Sequence, residues 1–293
     1  MKKKPDFTIL IINKNDRGVA KTLDVIASMK TKYMPETIVV DASGGKLADI
    51  YKRFPNVRCI NFKPVEDKPI TIAEQRNVGV DAAKSKIILF IDANSIPKAG
   101  SMDKLVQAIT KDHEDIAVGN ILSEGTKSIY DQCDTYRQGK KYLKECGALS
   151  LTFKKSAYKN IGGFDTSFDY GSDIDFCWSA KKCGYKIRYL PKATFTHDWG
   201  DTKENVVRDY RYGIARGRLL NKHPGRFVDI FMQDPASLVY AVYILGLPLT
   251  VFFWPYPLII VLLLIKNIRK NPFSVAKSHL IYSFGMIREM IRI

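Results

Sequence analysis

Two residues at the end of one apolar run carry the clearest chemical signal in this chain. Ile87, Ile88, Leu89, Phe90 and Ile91 lead directly into Asp92, Ala93 and Asn94. An uninterrupted apolar run of this length reads as a strand buried on both faces of a parallel sheet. Ligands of open α/β sheets bind outside the carboxyl ends of the strands, so Asp92 and Asn94 offer two oxygen donors to a divalent cation that bridges to a bound diphosphate. An Asx turn closing the strand has the same composition. Asp41 ends another apolar run, where a carboxylate can accept a hydrogen bond from a base imide or a ribose, or simply cap the strand. Arg76 stands in a helical segment leading toward Asp92. Its fork of donors can grip a diphosphate or a base edge, with a surface ion pair as the alternative.

Such residues need a regular scaffold, and the first half of the chain alternates short apolar runs with helical patterns. The pattern predicts strands at Phe7 to Ile12, Thr37 to Val40, Val57 to Phe62 and Ile87 to Ile91. Between them it predicts helices at Val19 to Lys30, Lys46 to Arg53 and Ile72 to Ala83, then one from Met102 capped by Ser101. This alternation is the signature of a parallel, doubly wound α/β sheet. Past Ile116 the rhythm loosens into a Lys- and Tyr-rich stretch, Thr126 to Glu145, followed by a strand at Ala148 to Phe153. A helix at Asp173 to Cys183 comes next, then two short strands, Lys186 to Leu190 and Ala193 to Thr196, ending at His197. The acids Asp173 and Asp175 open their helix, where the dipole favours them on structural grounds alone.

With 293 residues, 46% apolar and 26% charged, the composition is globular rather than disordered, and long enough for a catalytic domain with an appendage. A net charge of +16 points to an anionic partner: nucleotide phosphates, anionic lipid or nucleic acid. Nucleic acid rests on charge alone, with no supporting motif, and is not expected. The five cysteines include no C-x-x-C pair, which argues against a disulfide framework or structural zinc and suits a reducing cytosol. Met1 to Asp6 reads as a short basic tail, with no cleavable signal expected.

Taken in order, Thr8 to Asn15, Ile38 to Gly44, Ala73-Glu74-Gln75-Arg76-Asn77-Val78-Gly79, Phe90 to Asn94, Gly162-Gly163-Phe164-Asp165, Gly171 to Cys177 and Thr196-His197 resemble the family 2 glycosyltransferases. No single block is diagnostic; the specificity lies in their order over about residues 7 to 200. The resemblance implies a GT-A fold, a Rossmann-like nucleotide-diphospho-sugar transferase domain. It also implies inverting transfer of a sugar of the hexosyl or N-acetylhexosaminyl type, from a nucleotide-sugar donor (a UDP-sugar for preference) to a hydroxyl on a glycan or lipid-linked acceptor. By analogy Asp41 holds the nucleobase, the backbone at Ile12 and Asn13 lines the base pocket, and Arg76 belongs to the nucleotide site. Asp92, Ala93 and Asn94 stand where the family has Asp-x-Asp, so the second acid becomes a neutral amide. His197 resembles the histidine that completes a Mn2+ or Mg2+ site with Asp92 and Asn94. Asp173 matches the catalytic base, which takes the acceptor proton as the hydroxyl attacks, while Ser172 replaces the glutamate before it. Asp175 has a structural role or more. Arg208 to Arg218 resembles the basic Tyr- and Gly-containing region that follows the histidine in non-processive members. The Gln-x-x-Arg-Trp block of processive synthases is absent, so single-sugar addition is expected.

The C-terminal part differs in kind. No charged residue occurs from Pro235 to Ile265, a run long enough to span a hydrocarbon core of about 30 Å as one helix. Pro248, Pro255 and Pro257 interrupt it, and basic residues flank both ends: Arg218, Lys222 and Arg226, then Lys266, Arg269 and Lys270. Two positive flanks favour a re-entrant hairpin turning at Trp254 to Pro257 over a straight span, with a core helix or an oligomer interface as alternatives. From Phe273 to Ile293, Ile281, Phe284, Ile287 and Ile291 alternate with Lys277, Arg288 and Arg292. That pattern suits a helix in an anionic lipid surface or one packed on the catalytic domain. The resulting organisation is a catalytic domain at 1–200, a basic juxtamembrane helix at 201–234, a hydrophobic membrane segment at 235–265 and a basic amphipathic helix at 266–293. The expected location is a membrane, with the catalytic domain on the cytosolic side. The departures at Asn94 and Ser172 keep open a membrane-anchored nucleotide-sugar-binding protein, or degenerate transferase, without turnover.

Overall fold

The computed structural model describes residues 4–63, 68, 70–124, 137, 139–198, 202–228, 232, 235–266 and 271–292. The chain forms two compact units, Met1–Trp199 and Gly200–Ile293. In the first unit, β1 (Phe7–Asn13), β2 (Pro35–Asp41), β3 (Val57–Asn61) and β4 (Ile87–Phe90) form the parallel part of one sheet, in the order β3-β2-β1-β4. Ile9 and Ile11 point to one face, under α1 (Val19–Ser28) and α4 (Ser101–Thr110), where Leu23, Leu105 and Val106 complete a dry core. Leu10 points to the other, against α3 (Ile72–Ala82). A Cβ at Gly79 would lie 2.3 Å from the Leu10 side chain, so this glycine lets the helix sit close on the sheet. Full burial of each such aliphatic side chain is worth about 1.5–3 kcal/mol.

Beyond β4 the sheet is mixed, which corrects the expectation of an all-parallel, doubly wound sheet. β8 (Thr152–Lys154) runs antiparallel to both β4 and β6 (Ile116–Glu124). β9 (Ile187–Asp198) lies parallel to β6, while β5 (Ser95–Pro97) and β7 (Tyr142–Leu143) pair antiparallel with β9. Apolar runs report burial, not the direction of the partner strand, so this reversal leaves no local signature.

Several predicted elements change in extent. The helix at Lys46 to Arg53 shortens to α2 (Ala48–Tyr51), and the strand at Ala148 to Phe153 is regular only from Thr152. The two strands ending at Thr196 are one, β9, which continues through His197 to Asp198. Its register against β6 shifts between Gly119 and Asn120, which pair with Leu190 and Thr194, so the irregularity absorbs Pro191, a residue with no N–H to donate. Ser101 does not cap α4: its hydroxyl accepts from the Thr194 N–H at 2.8 Å, and Gly100, at φ +72°, precedes the helix. Most of the Thr126 to Glu145 stretch lies outside the described residues. Two further helices complete the unit, α5 (Lys155–Ile161) and α6 (Ser172–Lys182).

The second unit is helical. α7 (Thr202–Lys222) packs along α10 (Pro272–Ile291) through glycines on both helices. A Cβ at Gly213 would come within 1.9 Å of the Tyr282 carbonyl oxygen, and one at Gly285 within 2.5 Å of the Tyr210 carbonyl oxygen. The Tyr- and Gly-containing stretch therefore serves helix packing. Arg218 pairs with Glu289 at 2.6 Å across the same seam. The apolar run is broken into α8 (Pro235–Gly246), short 3-10 turns at Leu247–Val251 and Tyr256–Leu258, and α9 (Ile259–Lys266). Among the described residues no helix is long and apolar enough to cross a membrane. A single straight span is thereby replaced by two short arms, because Pro248, Pro255 and Pro257 cannot continue a helix. α10 packs within its own unit, on α7 and α8, where the Ser283 hydroxyl donates to the Ser237 carbonyl at 2.8 Å.

Candidate active site

The parallel register sets the carboxyl ends of the first strands side by side. Asn13 pairs with Asp41 across β1 and β2, and Ile91, following β4, donates its N–H to the Leu10 carbonyl. One edge of the sheet thus carries Ile12, Asn13, Asp41 and the Asp92 turn. Asp41 is deeply buried, and its carboxylate is engaged within the chain. One oxygen accepts from the Ser43 hydroxyl at 2.7 Å and the Tyr51 hydroxyl at 3.0 Å, and the other from the Ser43 N–H at 3.3 Å. The Asn13 amide donates to the Tyr51 oxygen at 3.0 Å and to the Asp16 carbonyl at 3.0 Å. Burial pushes the Tyr51 phenol well above its usual range, with the Asp41 charge adding to the effect and the Asn13 bond opposing it. Cys59, on the neighbouring strand, is pushed up to about 11, by burial first and by Asp41 second. Tyr51 and Ser43 were not singled out from the sequence, since neither type at that spacing announces a partner. Gln75 is similarly recruited: oriented so that donors meet acceptors, its amide nitrogen reaches the Asn13 and Val40 carbonyls at 3.2 and 3.0 Å.

Asp92 is different. No side chain or N–H among the described residues donates to its carboxylate; the turn closes through its carbonyl, which accepts from the Ser95 N–H at 3.1 Å. The Ala93 carbonyl is fixed by the Thr22 hydroxyl of α1 at 2.7 Å, and Gly18 at the start of that helix leaves room for Asn94, whose Cβ would stand 3.2 Å from a Cβ there. The antiparallel pairing of β5 with β9 sets Ser95 opposite His197. The Ser95 hydroxyl and the His197 Nδ1 are 2.6 Å apart, which fixes the ring. The Asn94 amide nitrogen donates to the Asp198 carbonyl at 2.9 Å. The structure therefore brings Asp92, Asn94 and His197 together, although 105 residues separate the first from the last.

A cation that arrives with substrate phosphates takes only one or two protein carboxylates and fills the rest of its shell from the ligand and water. The Asp92 carboxylate, the Asn94 amide oxygen and the oriented His197 imidazole are donors of the types such a cation takes. Among the described residues no three His, Cys, Asp or Glu side chains form a protein-only cage. Asn94→Asp would turn a carboxylate toward the Asp198 carbonyl. It is expected to cost the metal-free protein about 1 kcal/mol, read as a lower urea midpoint. An unchanged midpoint would show that the bond to Asp198 contributes nothing.

Asp173 sits in the first turn of α6, after Gly171 at φ +81°. One of its oxygens accepts from the Ala148 N–H at 3.0 Å, and the other from the Ile174 N–H at 3.0 Å. The chain that holds it returns to β4, because the Ser150 N–H donates to the Phe90 carbonyl at 3.0 Å. Asp173 stays half-exposed, whereas Asp175 is 2% exposed, which suits a structural role for Asp175. Behind this turn, Cys177 and Cys146 place their thiols 3.6 Å apart, and the Cys146 contact and burial hold the Cys177 thiol well above its usual range.

Arg76 is not a surface ion pair. It is 7% exposed, its guanidinium carbon lies 5.7 Å from the centre of the Phe90 ring and 5.4 Å from that of Phe164, and its Nη1 donates to the Ser172 hydroxyl at 3.1 Å. The residue it touches is the one standing in place of the glutamate, and among the described residues its Nε has no hydrogen-bond partner. The next residue, Asn77, ties α3 to the Gly162 to Asp165 block: its amide donates to the Phe164 carbonyl at 2.8 Å and accepts from Tyr158 at 2.7 Å. A cavity of about 640 Å³ lies elsewhere, lined by Asn120, Lys140, Lys141, Arg188 and Tyr189, and contains none of the residues above. Among the described residues it is lined by no acid or imidazole for the expected chemistry.

A mixed α/β sheet with an acid-bearing turn at its carboxyl edge is the architecture in which open α/β sheets place their ligand sites. Residues 8–160, just over half of the chain, match the family described as glycosyl transferase family 2, and the chain belongs to that family. It is accordingly an enzyme, a transferase. Among its relatives is the pre-mycofactocin glycosyltransferase of Mycobacterium tuberculosis (strain CDC 1551 / Oshkosh), 22% identical over 188 residues that make up 59% of this chain and 40% of the relative. The chain thus spans well under half the length of that protein. Glycosyltransferase AglE of Haloferax volcanii is 22% identical over 265 residues, 86% of this chain and 83% of the relative. Among solved structures, the mannosyltransferase PcManGT from Pyrobaculum calidifontis, in complex with GDP-Man and Mn2+, superposes with a TM-score of 0.65 at 14% identity, covering 99% of this chain and 88% of that one. The fold is thus shared with GT-A glycosyltransferases.

Proposed function

We propose that this chain transfers a single sugar, with inversion, from a nucleoside-diphosphate sugar to a hydroxyl acceptor, with a divalent cation as cofactor. The observation that carries the reading is the Asp92 carboxylate, which accepts no bond among the described residues, in the turn whose Ser95 orients the His197 ring, at the sheet edge that carries Asn13 and Asp41. The cation and nucleotide sugar in the PcManGT complex support it by analogy of fold. When bound, Mn2+ or Mg2+ would be held by Asp92, Asn94 and His197 and would offset the charge of the leaving diphosphate. Asp41 and the backbone at Ile12 and Asn13 would receive the base, in a pocket stiffened by Tyr51 and Ser43. Arg76 adds positive potential and holds the start of α6 through Ser172. Asp173 takes the acceptor proton as the hydroxyl attacks the anomeric carbon. A lipid-linked acceptor at the cytosolic membrane face agrees with the exposed apolar surface of the second unit.

The test is nucleotide release from a panel of UDP- and GDP-sugars with Mn2+, with and without alcohol acceptors, and the anomeric configuration of the product read by NMR. Acceptor-dependent release with inversion is expected, a UDP-sugar being the leading donor. Retention would reject the single-displacement role of Asp173. Tight nucleotide binding with no turnover on any acceptor would instead favour the non-catalytic reading motivated by Asn94 and Ser172.

A further inference from the structure

We infer that the second unit is a one-leaflet membrane anchor: α8 and α9 form the arms of an apolar hairpin whose tip, Val251 to Trp254, enters the acyl region of an anionic bilayer without crossing it. α8 has 12 residues, a length of about 18 Å at 1.5 Å per residue, well short of a hydrocarbon core of about 30 Å. The turn that follows α8 folds back onto it, because the Tyr243 ring of α8 and the Tyr256 ring of the turn stack at 5.8 Å.

In lipid every main-chain polar group needs a protein partner, and a helix end leaves its last carbonyls open. Here the Tyr256 hydroxyl lies 3.3 Å from the Val242 carbonyl and 3.2 Å from the Tyr243 carbonyl, while the Tyr243 hydroxyl donates to the Pro257 carbonyl at 3.1 Å. Gly246 makes this clasp possible, since a Cβ there would overlap the Tyr256 hydroxyl. The two tyrosines thus serve carbonyls at the very place where prolines interrupt the helix.

What the hairpin presents outward is apolar. Phe252 is 90% exposed, Val251 82% and Trp254 77%, continued along the arms by Val242, Leu245 and Leu262. Large apolar side chains this exposed, clustered in one stretch of the chain, mark an interaction site. Charge selects the occupant: on α10 the exposed Phe273, Phe284 and Ile291 alternate with exposed Lys277, Arg288 and Arg292. Apolar groups interleaved with bases fit an anionic lipid surface. A second protein copy of the same +16 charge would meet repulsion there.

This deepens the proposed membrane location, and its test needs no turnover, so failure of the transferase reading leaves it intact. The full chain is floated, without substrate, with phosphatidylcholine vesicles containing or lacking phosphatidylglycerol. Co-flotation with the anionic vesicles is expected, together with quenching of Trp254 emission by acyl-brominated lipid, read as the difference from Trp254→Tyr. The double variant Phe252→Glu/Phe253→Glu should lower partitioning at least about tenfold. Lys277→Ala/Arg292→Ala should weaken binding to the anionic vesicles roughly thirtyfold. Circular dichroism of each variant checks that the fold is retained. Absence of flotation, unquenched Trp254, or unaltered partitioning of the Glu variant would overturn the anchor. Phe252-dependent dimers without vesicle binding would assign the surface to a second copy and overturn it equally.

Discussion

Asp173→Asn should lower acceptor-dependent transfer by a factor of about 10² to 10⁴, the range removed with a general base. The substitution keeps size and shape but leaves no carboxylate to take the acceptor proton. Donor binding should survive, because Asp173 lies in a helix-start turn separate from the Asn13, Asp41 and Asp92 edge proposed to receive the nucleotide. The effect is therefore expected in kcat, with little change in donor KM or in nucleotide affinity by calorimetry. One structural consequence must be separated from it. Both carboxylate oxygens accept main-chain N–H groups, from Ala148 and Ile174, and asparagine turns one of these oxygens into an NH2 that cannot accept. A stability loss of about 1 kcal/mol is expected alongside, so kcat is compared well below the thermal midpoint of the variant. Full turnover in Asp173→Asn would remove the base assignment. Asp175 could not inherit it readily, being buried in the same helix.

The second large effect is expected at Asp92. Asp92→Ala should reduce transfer by about 10² to 10³, comparable to loss of an electrostatic stabiliser aimed at developing charge. It should also abolish the gain in nucleoside diphosphate affinity produced by Mn2+. The metal-free protein should barely change in stability, since the Asp92 carboxylate accepts no bond within the described chain and the turn is closed by main-chain atoms. Chelation of wild-type protein should reproduce the kinetic loss, and chelation of Asp92→Ala should add little. If Mn2+ strengthened nucleotide binding equally in both proteins, the cation would be held elsewhere. His197→Ala offers no comparably clean comparison, because it also removes the partner of the Ser95 hydroxyl.

The two acids illustrate why similar sequence signals carry different weight. Asp41 and Asp92 each end a buried parallel strand, and the apolar runs before them fixed that placement. Only the folded chain shows that Asp41 is engaged by Ser43 and Tyr51 while the Asp92 carboxylate accepts no bond among the described residues. Tyr51 reaches Asp41 because α2 folds back over the strand ends, a contact that no local periodicity encodes. Arg76 shows the same limit. Its presence in a helix was legible, but its burial between Phe90 and Phe164 and its bond to Ser172 depend on residues from β4, α6 and the Gly162 to Asp165 loop. The replacement of glutamate by serine, visible as a departure in sequence, becomes physically meaningful only when Arg76 is seen beside it.

By itself the sequence determined the strand-helix alternation of the first half, the acids and amide at the strand ends, and the abrupt change to an uncharged, proline-broken segment. These are consequences of side-chain chemistry within a few residues, where burial period, turn preference and the missing N–H of proline act locally. The tertiary structure alone decided that the sheet turns antiparallel at β8, that β9 runs unbroken past Pro191 to carry His197 and Asp198 to Ser95 and Asn94, and that Gly213 and Gly285 bring two helices into main-chain contact. Each of these depends on which distant surfaces are complementary in shape and hydrogen bonding. That choice is made by packing over the whole chain rather than by the preferences of any one segment.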